Sequence, residues 1–340
     1  MNRKDFYVFA PAGVVTGGAE LLHQLVSSLN DNGLNAYIVY FNGGNKVPEE
    51  YKKYNIKIAD HIPDNDHIVE VLYEGIFEFS LQRVKTFKVL WWLSVDNFYI
   101  CSKNLLSLTD LLKFNPNLAI KEFARRIYRV ITTRTNPFEN NISLSYLKGL
   151  NALSLYQSEY AQNFLIKQGF RKILPLKDYI NDGYLSTREP TSRKNIILYN
   201  PKKGFKFTQK LINSSGNLNW VPIQGLNREQ VKKLMLEAKV YVDFGYHPGK
   251  DRLPREAILS GCCIITGKQG SAKYFEDVLT PDEFSFEDDD KHIPLIIRKI
   301  EDIFYDFKEN QSKFKFYEYI TSKQKLEFEE QVKDFIKYYE

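Results

Sequence analysis

Apolar residues recur along this chain in two alternating rhythms. A short run at 6–10 (FYVFA) is followed by a polar, glycine-bearing stretch and then by Leu22, Leu25, Val26 and Leu29 at helical spacing. The spacing predicts a buried strand, then a helix beginning near Ala19 and stopping at Gly33. Further continuous apolar runs lie at 36–41, 67–72, 87–93 and 153–156, the last leading into a helix over 159–168. Runs without polar alternation are the pattern of parallel strands covered on both faces.

A second series opens after a polar, turn-rich stretch at 182–193, which reads as a linker. Strands are predicted at 195–201, 219–223, 239–244 and 262–266. Helices are predicted at 204–212 and around Val231, Leu234, Met235 and Ala238. Two closing helices carry apolar faces, Ile293, Ile296, Ile297 and Ile300, then Val332, Phe335, Ile336 and Tyr339. The alternation predicts an α/β protein of two Rossmann-like domains facing a central cleft. The expected boundaries are 1–180 for the first domain and 181–320 for the second. Residues 321–340 are expected as a C-terminal helix able to pack back on the first domain.

One stretch, 105–134, interrupts the first series. Ile120, Phe123, Ala124, Ile127, Val130 and Ile131 share a helical face, and Lys121, Arg125, Arg126 and Arg129 crowd the other side against Glu122. Two readings fit. The helix packs its apolar face on the domain and leaves a solvated basic face, which is the commoner arrangement. Or it lies on an anionic membrane or guides a lipid-linked acceptor.

Composition narrows the class. Hydrophobic residues at 43% and charged residues at 26% describe a folded globular chain. No apolar run approaches the roughly 20 residues of a membrane span. The apolar part of the N-terminal stretch is too short for a secretion signal. The three cysteines, Cys101, Cys262 and Cys263, have neither disulfide-framework nor zinc-site spacing. A cytoplasmic location is expected, with a peripheral contact at the inner face of a membrane left open. The net charge of +5 fits phosphorylated ligands or an anionic surface and does not argue for nucleic acid.

The stretch 241–261 (YVDFGYHPGKDRLPREAILSG) carries the strongest chemical signal. A buried-looking strand runs into a loop bearing His247, Lys250 and Arg252, and the loop feeds a helix with Glu256 in its expected first turn. Helix N–H groups and cations converging there suit a phosphate. A carboxylate beside them suits a ribose diol, although a helix-dipole role or a pair with Arg252 or Arg255 is the plainer reading. Lys202 and Lys203 lie past the strand at 195–201, as a diphosphate contact or a solvated pair. Gly17 and Gly18, between the first strand and helix, admit close ligand approach or simply make a tight turn. Asp96 follows the run at 87–93, where an Asx turn or a helix cap is the plain reading. The Asp64-Asn65-Asp66 string reads as a turn, and the five histidines show no metal-ligand spacing, so no metal site is expected.

The segment PREAILSGCCIITG at 254–267 resembles the second half of the Glu-x7-Glu segment of retaining GT-B glycosyltransferases of the family 4 kind, as in bacterial polysaccharide and capsule biosynthesis. Residues 202–204 (KKG) resemble the family's Lys-Gly diphosphate contact, and 16–20 (TGGAE) its glycine-rich acceptor-side loop. The resemblance implies a nucleotide-sugar donor, bound by Gly17, Gly18, Lys202, Lys203, His247, Lys250, Arg252 and Glu256. It implies catalytic roles for Asp96, Lys203 and Arg252, a glycan or lipid-linked glycan acceptor, retention, and no cofactor or metal. Glu256 matches the family's second Glu, but the first falls on Pro248. That departure supports a rival reading, a non-catalytic GT-B subunit that binds a glycan, a nucleotide or a partner enzyme.

Overall fold

Strand β1, Asp5–Pro11, is buried along residues 6–10, as an interior parallel strand must be. The computed structural model describes residues 4–44, 46–133, 142–184 and 192–340. Helix α1, Gly17–Asp31, follows β1. Thr16 caps it by accepting the Ala19 N–H at 3.2 Å, so the helix begins two residues before the expected start. Its inward face is the predicted one, with Leu22, Leu25, Val26 and Leu29 buried.

Strands β2 (Asn35–Phe41), β3 (Lys57–Ile58), β4 (Ile68–Tyr73), β5 (Phe87–Trp92), β6 (Leu153–Tyr156) and β7 (Ile173–Pro175) complete the first sheet. Their order is β3-β2-β1-β4-β5-β6-β7, with every neighbouring pair parallel. The order reverses between β1 and β4, which defines the switch point of a doubly wound sheet. Helices α2 (Val95–Cys101), α3 (Leu108–Phe114), α4 (Pro116–Thr133) and α5 (Leu144–Gly149) lie between β5 and β6, and α6 (Glu159–Gln168) lies between β6 and β7.

The second series contains β8 (Lys194–Tyr199), α7 (Phe205–Ser214), β9 (Asn219–Pro222), α8 (Arg228–Glu237), β10 (Ala238–Asp243), β11 (Tyr246–His247), α9 (Arg252–Leu259), β12 (Cys263–Thr266) and β13 (Gln269–Gly270). Four of these strands form a parallel sheet in the order β12-β10-β8-β9, while β11 and β13 pair separately. Ile197, Val240, Val242 and Ile264 in the sheet are fully or almost fully buried. Met235, Ile258, Ile296 and Ile300, on α8, α9 and α10 (Ile293–Tyr305), belong to the same apolar core.

The chain divides into two compact units. The first holds residues 1–157, 161–177 and 328–340, and the second holds 158–160 and 178–327. After α11 (Phe307–Ser312), helix α12 runs Lys315–Lys337 and ends in the first unit. It starts six residues earlier than the expected 321, because Tyr317 continues the buried pattern and no Gly or Pro intervenes. At its far end Phe335 meets the Phe6 ring edge-on at 5.6 Å, and Glu329 accepts from Ser28 Oγ at 2.9 Å. Of the expected linker 182–193, residues 185–191 lie outside the described residues.

Helix α4 is seated opposite to the commoner reading of its sequence. Ala119, Glu122 and Arg126 face inward, and Arg126 is fully buried. Its Nη2 donates to the carbonyls of Lys103 and Leu106, each at 2.7 Å, and Glu122 lies 3.5 Å from its Nε. The two backbone acceptors and the charge of the nearby carboxylate hold the guanidinium inward. The apolar arc of Ile120, Phe123, Ile127 and Ile131 is thereby left exposed.

In the second unit, Gly204 and Gly245 let two loops touch backbone to backbone. Gly204 has φ +60°, and a Cβ there would lie 2.6 Å from Gly245 N and overlap the Phe244 carbonyl. Gly245 has φ +92°, and its Cβ would lie 2.6 Å from Gly204 N. Gly225 has a similar φ, +69°, with nothing within 4 Å of an added Cβ. Gly225→Ala should therefore cost only the left-handed penalty of about 1–2 kcal/mol. Gly204→Ala should cost clearly more, since backbone must move as well. Urea unfolding of the two variants checks this, and equal losses would contradict the close approach.

Candidate active site

The second unit builds its site at the C-terminal ends of β8 and β10. Lys203 sits in the β8–α7 turn, Asp243 ends β10, His247 lies in β11, and Asp251 precedes α9 at its N-cap position. The Gly204–Gly245 contact presses these segments together. Lys203 Nζ then lies 2.7 Å from Asp243 Oδ1 and 2.5 Å from Asp251 Oδ2. His247 Nδ1 is 3.0 Å from the same Asp251 oxygen and 3.2 Å from Lys203 Nζ. Tyr241 donates its hydroxyl to Asp243 Oδ2 at 3.1 Å.

The electrostatics follow from burial and pairing. Burial disfavours the Lys203 ammonium, but Asp243 and Asp251 more than offset it, and its pKa is raised. Burial disfavours the Asp251 carboxylate, yet the His247 hydrogen bond and the Lys203 charge hold it down at about 2. The Asp251 contribution to stability is complete above its unfolded value of 3.8 and is lost as pH falls through about 2. The Lys203 contribution is complete below 10.5 and is lost as pH rises through the higher folded value. Both are present across the neutral range.

Asp243, His247 and Asp251 bring ligand-type atoms within 4.8 Å of one another, the kind of set that holds a metal. Here the Lys203 ammonium stands among them and supplies the positive charge their carboxylates require. Lys203 is therefore not the open cation its position in the sequence suggests, because one ammonium faces two carboxylates.

Arg252 begins α9 and leaves 13% of its side chain exposed. Its Nη2 lies 3.4 Å from the Tyr179 carbonyl, and its Nε lies 3.8 Å from Glu256 Oε1. Because α9 starts at Arg252, Glu256 lies in the second turn and not in the expected first. Pro254 is only the third helical residue, where no intrahelical acceptor awaits its missing N–H. The Glu256 carboxyl is 15% exposed and accepts a hydrogen bond from the Tyr184 hydroxyl. Burial raises its pKa, against the lowering charges of Arg252 and Arg255 and the Tyr184 hydrogen bond.

Of the other expected residues in this unit, Lys202 is exposed, with its N–H on Asn200 Oδ1 at 3.0 Å. Lys250 is buried and gives its carbonyl to Arg255 Nη2. Arg255, which the sequence offered only as a salt-bridge partner of Glu256, instead pairs with Asp178 at 2.7 Å and with Gln324 at 2.9 Å.

Gly17, Gly18 and Asp96 belong to the first unit. Gly17 and Gly18 form the first turn of α1, and a Cβ on Gly18 would meet Leu93 at an ordinary 3.6 Å. Asp96 is buried in the first turn of α2, and Ser94 is the cap, accepting the Asn97 N–H at 3.1 Å. Beside this turn lies Glu74, which the sequence reading missed. It follows β4 and accepts the Leu93 N–H at 3.0 Å. Burial pushes its carboxyl up to about 8, against hydrogen bonds from its own N–H, those of Leu93 and Ser94, and the Asn97 side chain. Its signal was a Glu directly after a buried apolar strand. The Asp64 string is a turn, with Asp64 accepting the Lys85 N–H and Asn65 the His67 N–H, each at 2.9 Å.

A doubly wound seven-stranded sheet and a smaller parallel sheet, each with its strand-end loops, define a GT-B fold. HepE of Anabaena, solved with UDP-glucose, superposes with a TM-score of 0.61 at 11% identity, covering 98% of this chain and 99% of that one. A glycosyltransferase from Rickettsia africae ESF-5 gives 0.58 at 14% identity, covering 100% and 98%. No protein-family profile matches the sequence. Among curated proteins, an alpha-1,6-glucosyltransferase of Actinobacillus pleuropneumoniae serotype 7 (strain AP76) is 28% identical over 148 residues. That match spans 40% of this chain and 45% of the relative, so the chain covers about half the relative's length.

Two expected outcomes follow from these environments. Lys203→Met should destabilise by about 3 kcal/mol or more, since it leaves a buried carboxylate uncompensated. Adding Asp243→Asn should recover part of the loss. A single-variant loss under about 1 kcal/mol in urea unfolding would show the cluster to be weak. For Glu74, a folded pKa above the unfolded one means the native state binds the extra proton between 4.5 and about 8. Its stabilising share is complete below 4.5 and is lost as pH rises from there through about 8. Glu74→Gln should therefore flatten the fall in Tm between pH 5 and 8, with little change at pH 5 itself. Parallel Tm–pH profiles for the two proteins would contradict the assignment.

Proposed function

We propose that this chain is a glycosyltransferase that moves a sugar from a nucleotide-sugar to a bacterial glycan acceptor. The observation that carries the reading is the strand-end loop of the second unit. Backbone contact at Gly204–Gly245 and the Lys203 cluster fix the start of α9, with Arg252 and Glu256 on its first two turns. The curated glucosyltransferase relative and the fold shared with a UDP-glucose complex support a nucleotide-sugar, and UDP-glucose is the first donor to test. Residues 1–180 act on the acceptor side, 181–320 bind the donor, and 321–340 tie the chain's end to the first domain.

In this reading Arg252 and the N–H groups at the start of α9 meet the donor diphosphate, where charge accumulates as the C1–O bond breaks. Glu256 exchanges the Tyr184 hydroxyl for a ribose hydroxyl. Lys203, Lys250 and His247 hold the loop in place behind it. Lys202 reaches the diphosphate from the exposed edge. Asp96 orients the acceptor hydroxyl beside the Gly17–Gly18 turn. The acceptor oxygen bonds to C1 on the face the diphosphate leaves, with retention, and the acceptor proton departs with the nucleoside diphosphate. The charges are met by this chain's own groups, without a metal. The acceptor is a glycan, or a lipid-linked glycan at the cytoplasmic face of a membrane.

The pairing of Lys203 and the presence of Pro248 favour the second reading, a non-catalytic GT-B subunit. Thermal shift and product formation with UDP-glucose in EDTA separate the two. Donor binding should raise Tm, and Glu256→Ala should weaken it by about 1–3 kcal/mol. Binding without any transfer or hydrolysis, across a panel of nucleotide-sugars, would favour the subunit. Absence of any nucleotide binding would sink both the donor and the ribose assignment.

A further inference from the structure

We infer that the amino-terminal edge of the first sheet carries a second binding groove, one that holds an acidic oligosaccharide away from the reacting groups. Two recessed cavities adjoin there, of about 810 and 490 Å³, and share Asn151, Ala152 and Lys172 in their walls. Each lies within the range of small-ligand sites, about 300–1,000 Å³. Phe87 opens β5, Leu153 opens β6 and Lys172 precedes β7, so the groove runs along the starts of three parallel strands. The six-residue β5 is about 20 Å long at about 3.3 Å per residue. A ligand in the groove is thus a strand's length from the carboxyl ends, where Gly17 and Asp96 stand, and is held without reacting.

Charge selects an anion. Lys4, Arg83, Lys88 and Lys172 line the wider cavity against Glu340. Lys148, Arg171 and Lys172 line the other, with no carboxylate in its wall. These three side chains are exposed, and none of them forms an ion pair among the described residues. The wall of the wider cavity is built around the buried Glu70. Arg83 donates to it through Nε at 2.8 Å and Nη2 at 2.9 Å, and Lys88 Nζ lies 3.0 Å away. One carboxylate thus faces two cations, and burial lowers the Lys88 pKa although Glu70 opposes it. Arg83 sits at φ +43°, a conformation that a bulky residue keeps only where its surroundings hold it. The body of the ligand follows from the uncharged lining. Phe87 and Tyr338 are 44% and 41% exposed, flat surfaces for the C–H face of a sugar ring. Lys4 Nζ stands 4.5 Å over the Phe87 ring, which sets a cation beside an apolar surface. Ser80, Tyr146 and Asn151 offer hydroxyl and amide groups to sugar hydroxyls. An oligonucleotide would need aromatic side chains spaced along the whole groove. The narrower cavity has only the buried Phe170. The choice of a sugar body rests on the proposed glycosyltransferase reading, and the choice of an acidic one on the groove alone.

The test is isothermal titration of the full chain, without donor, with an octamer of galacturonic acid and with a neutral malto-octamer. The expected result is binding of the acidic octamer and at least about tenfold weaker binding of the neutral one, with the difference shrinking in high salt. Lys148→Gln/Arg171→Gln/Lys172→Gln should lose at least about tenfold in affinity for the acidic octamer. It should keep its Tm, because all three side chains are exposed. Tyr338→Ser should weaken the acidic octamer and leave an inorganic polyphosphate of equal charge unaffected, since a flat ring serves a sugar and not a bare anion. The inference is overturned by absence of binding to the acidic octamer, or by unchanged binding in the triple variant. Tighter binding of an oligothymidylate of equal charge would overturn it too, since the groove would then be a nucleic-acid site. So would a Tyr338→Ser variant that binds the octamer as the wild type does. The UDP-glucose shift in Tm, recorded on the same proteins, keeps the claims apart. A donor shift without octamer binding sinks only the groove, and octamer binding without a donor shift sinks only the donor assignment.

Discussion

The second unit depends on one close approach, the backbone of Gly204 against that of Gly245. Parallel strands deliver their C-terminal ends to one edge of a sheet, but they do not bring the following loops into contact. Two residues without Cβ atoms do so here, both in the left-handed region that other residues enter at a cost. Once the loops touch, Lys203 is carried to Asp243 and Asp251, and His247 to Asp251. The first residue of α9 is then fixed by an ion cluster that sequence neighbours could not form. Breaking the glycine contact would release the lysine, and removing the lysine would leave two carboxylates facing each other.

The cluster also decides how an anion would be received. A half-buried lysine paired with two aspartates presents little positive field outward. The positive side of this edge is left to Arg252, to exposed Lys202 and to the N–H groups opening α9. Rigidity and charge are thereby assigned to different residues. In the proposed function this arrangement would serve transition-state stabilisation, which gains from donors fixed before the reaction begins.

The hydrophobic rhythm made most of the fold legible, because strands buried on both faces leave unbroken apolar runs and α1 keeps a clean 3.6-residue stripe. It failed for α4. Periodicity shows that a helix is amphipathic but not which face is turned inward, and the carbonyls of Lys103 and Leu106 that bury Arg126 lie some twenty residues upstream. At the site, the loop 244–256 was legible as a place, while the roles within it were not. Lys203 reads as an open cation in sequence, and its two aspartates are 40 and 48 positions away, brought in by topology. The pKa of Glu74 was invisible for the same reason, since it rests on burial beneath the β5–α2 turn and not on a charged neighbour.

The central claim is that the glycine contact and the lysine cluster shape a nucleotide-sugar site at the start of α9. Amide hydrogen exchange followed by mass spectrometry, with and without UDP-glucose, tests it most directly. The account predicts slowed exchange in peptides covering 200–206 and 244–256. Slowing confined to other segments, with these two unchanged under saturating ligand, would contradict it.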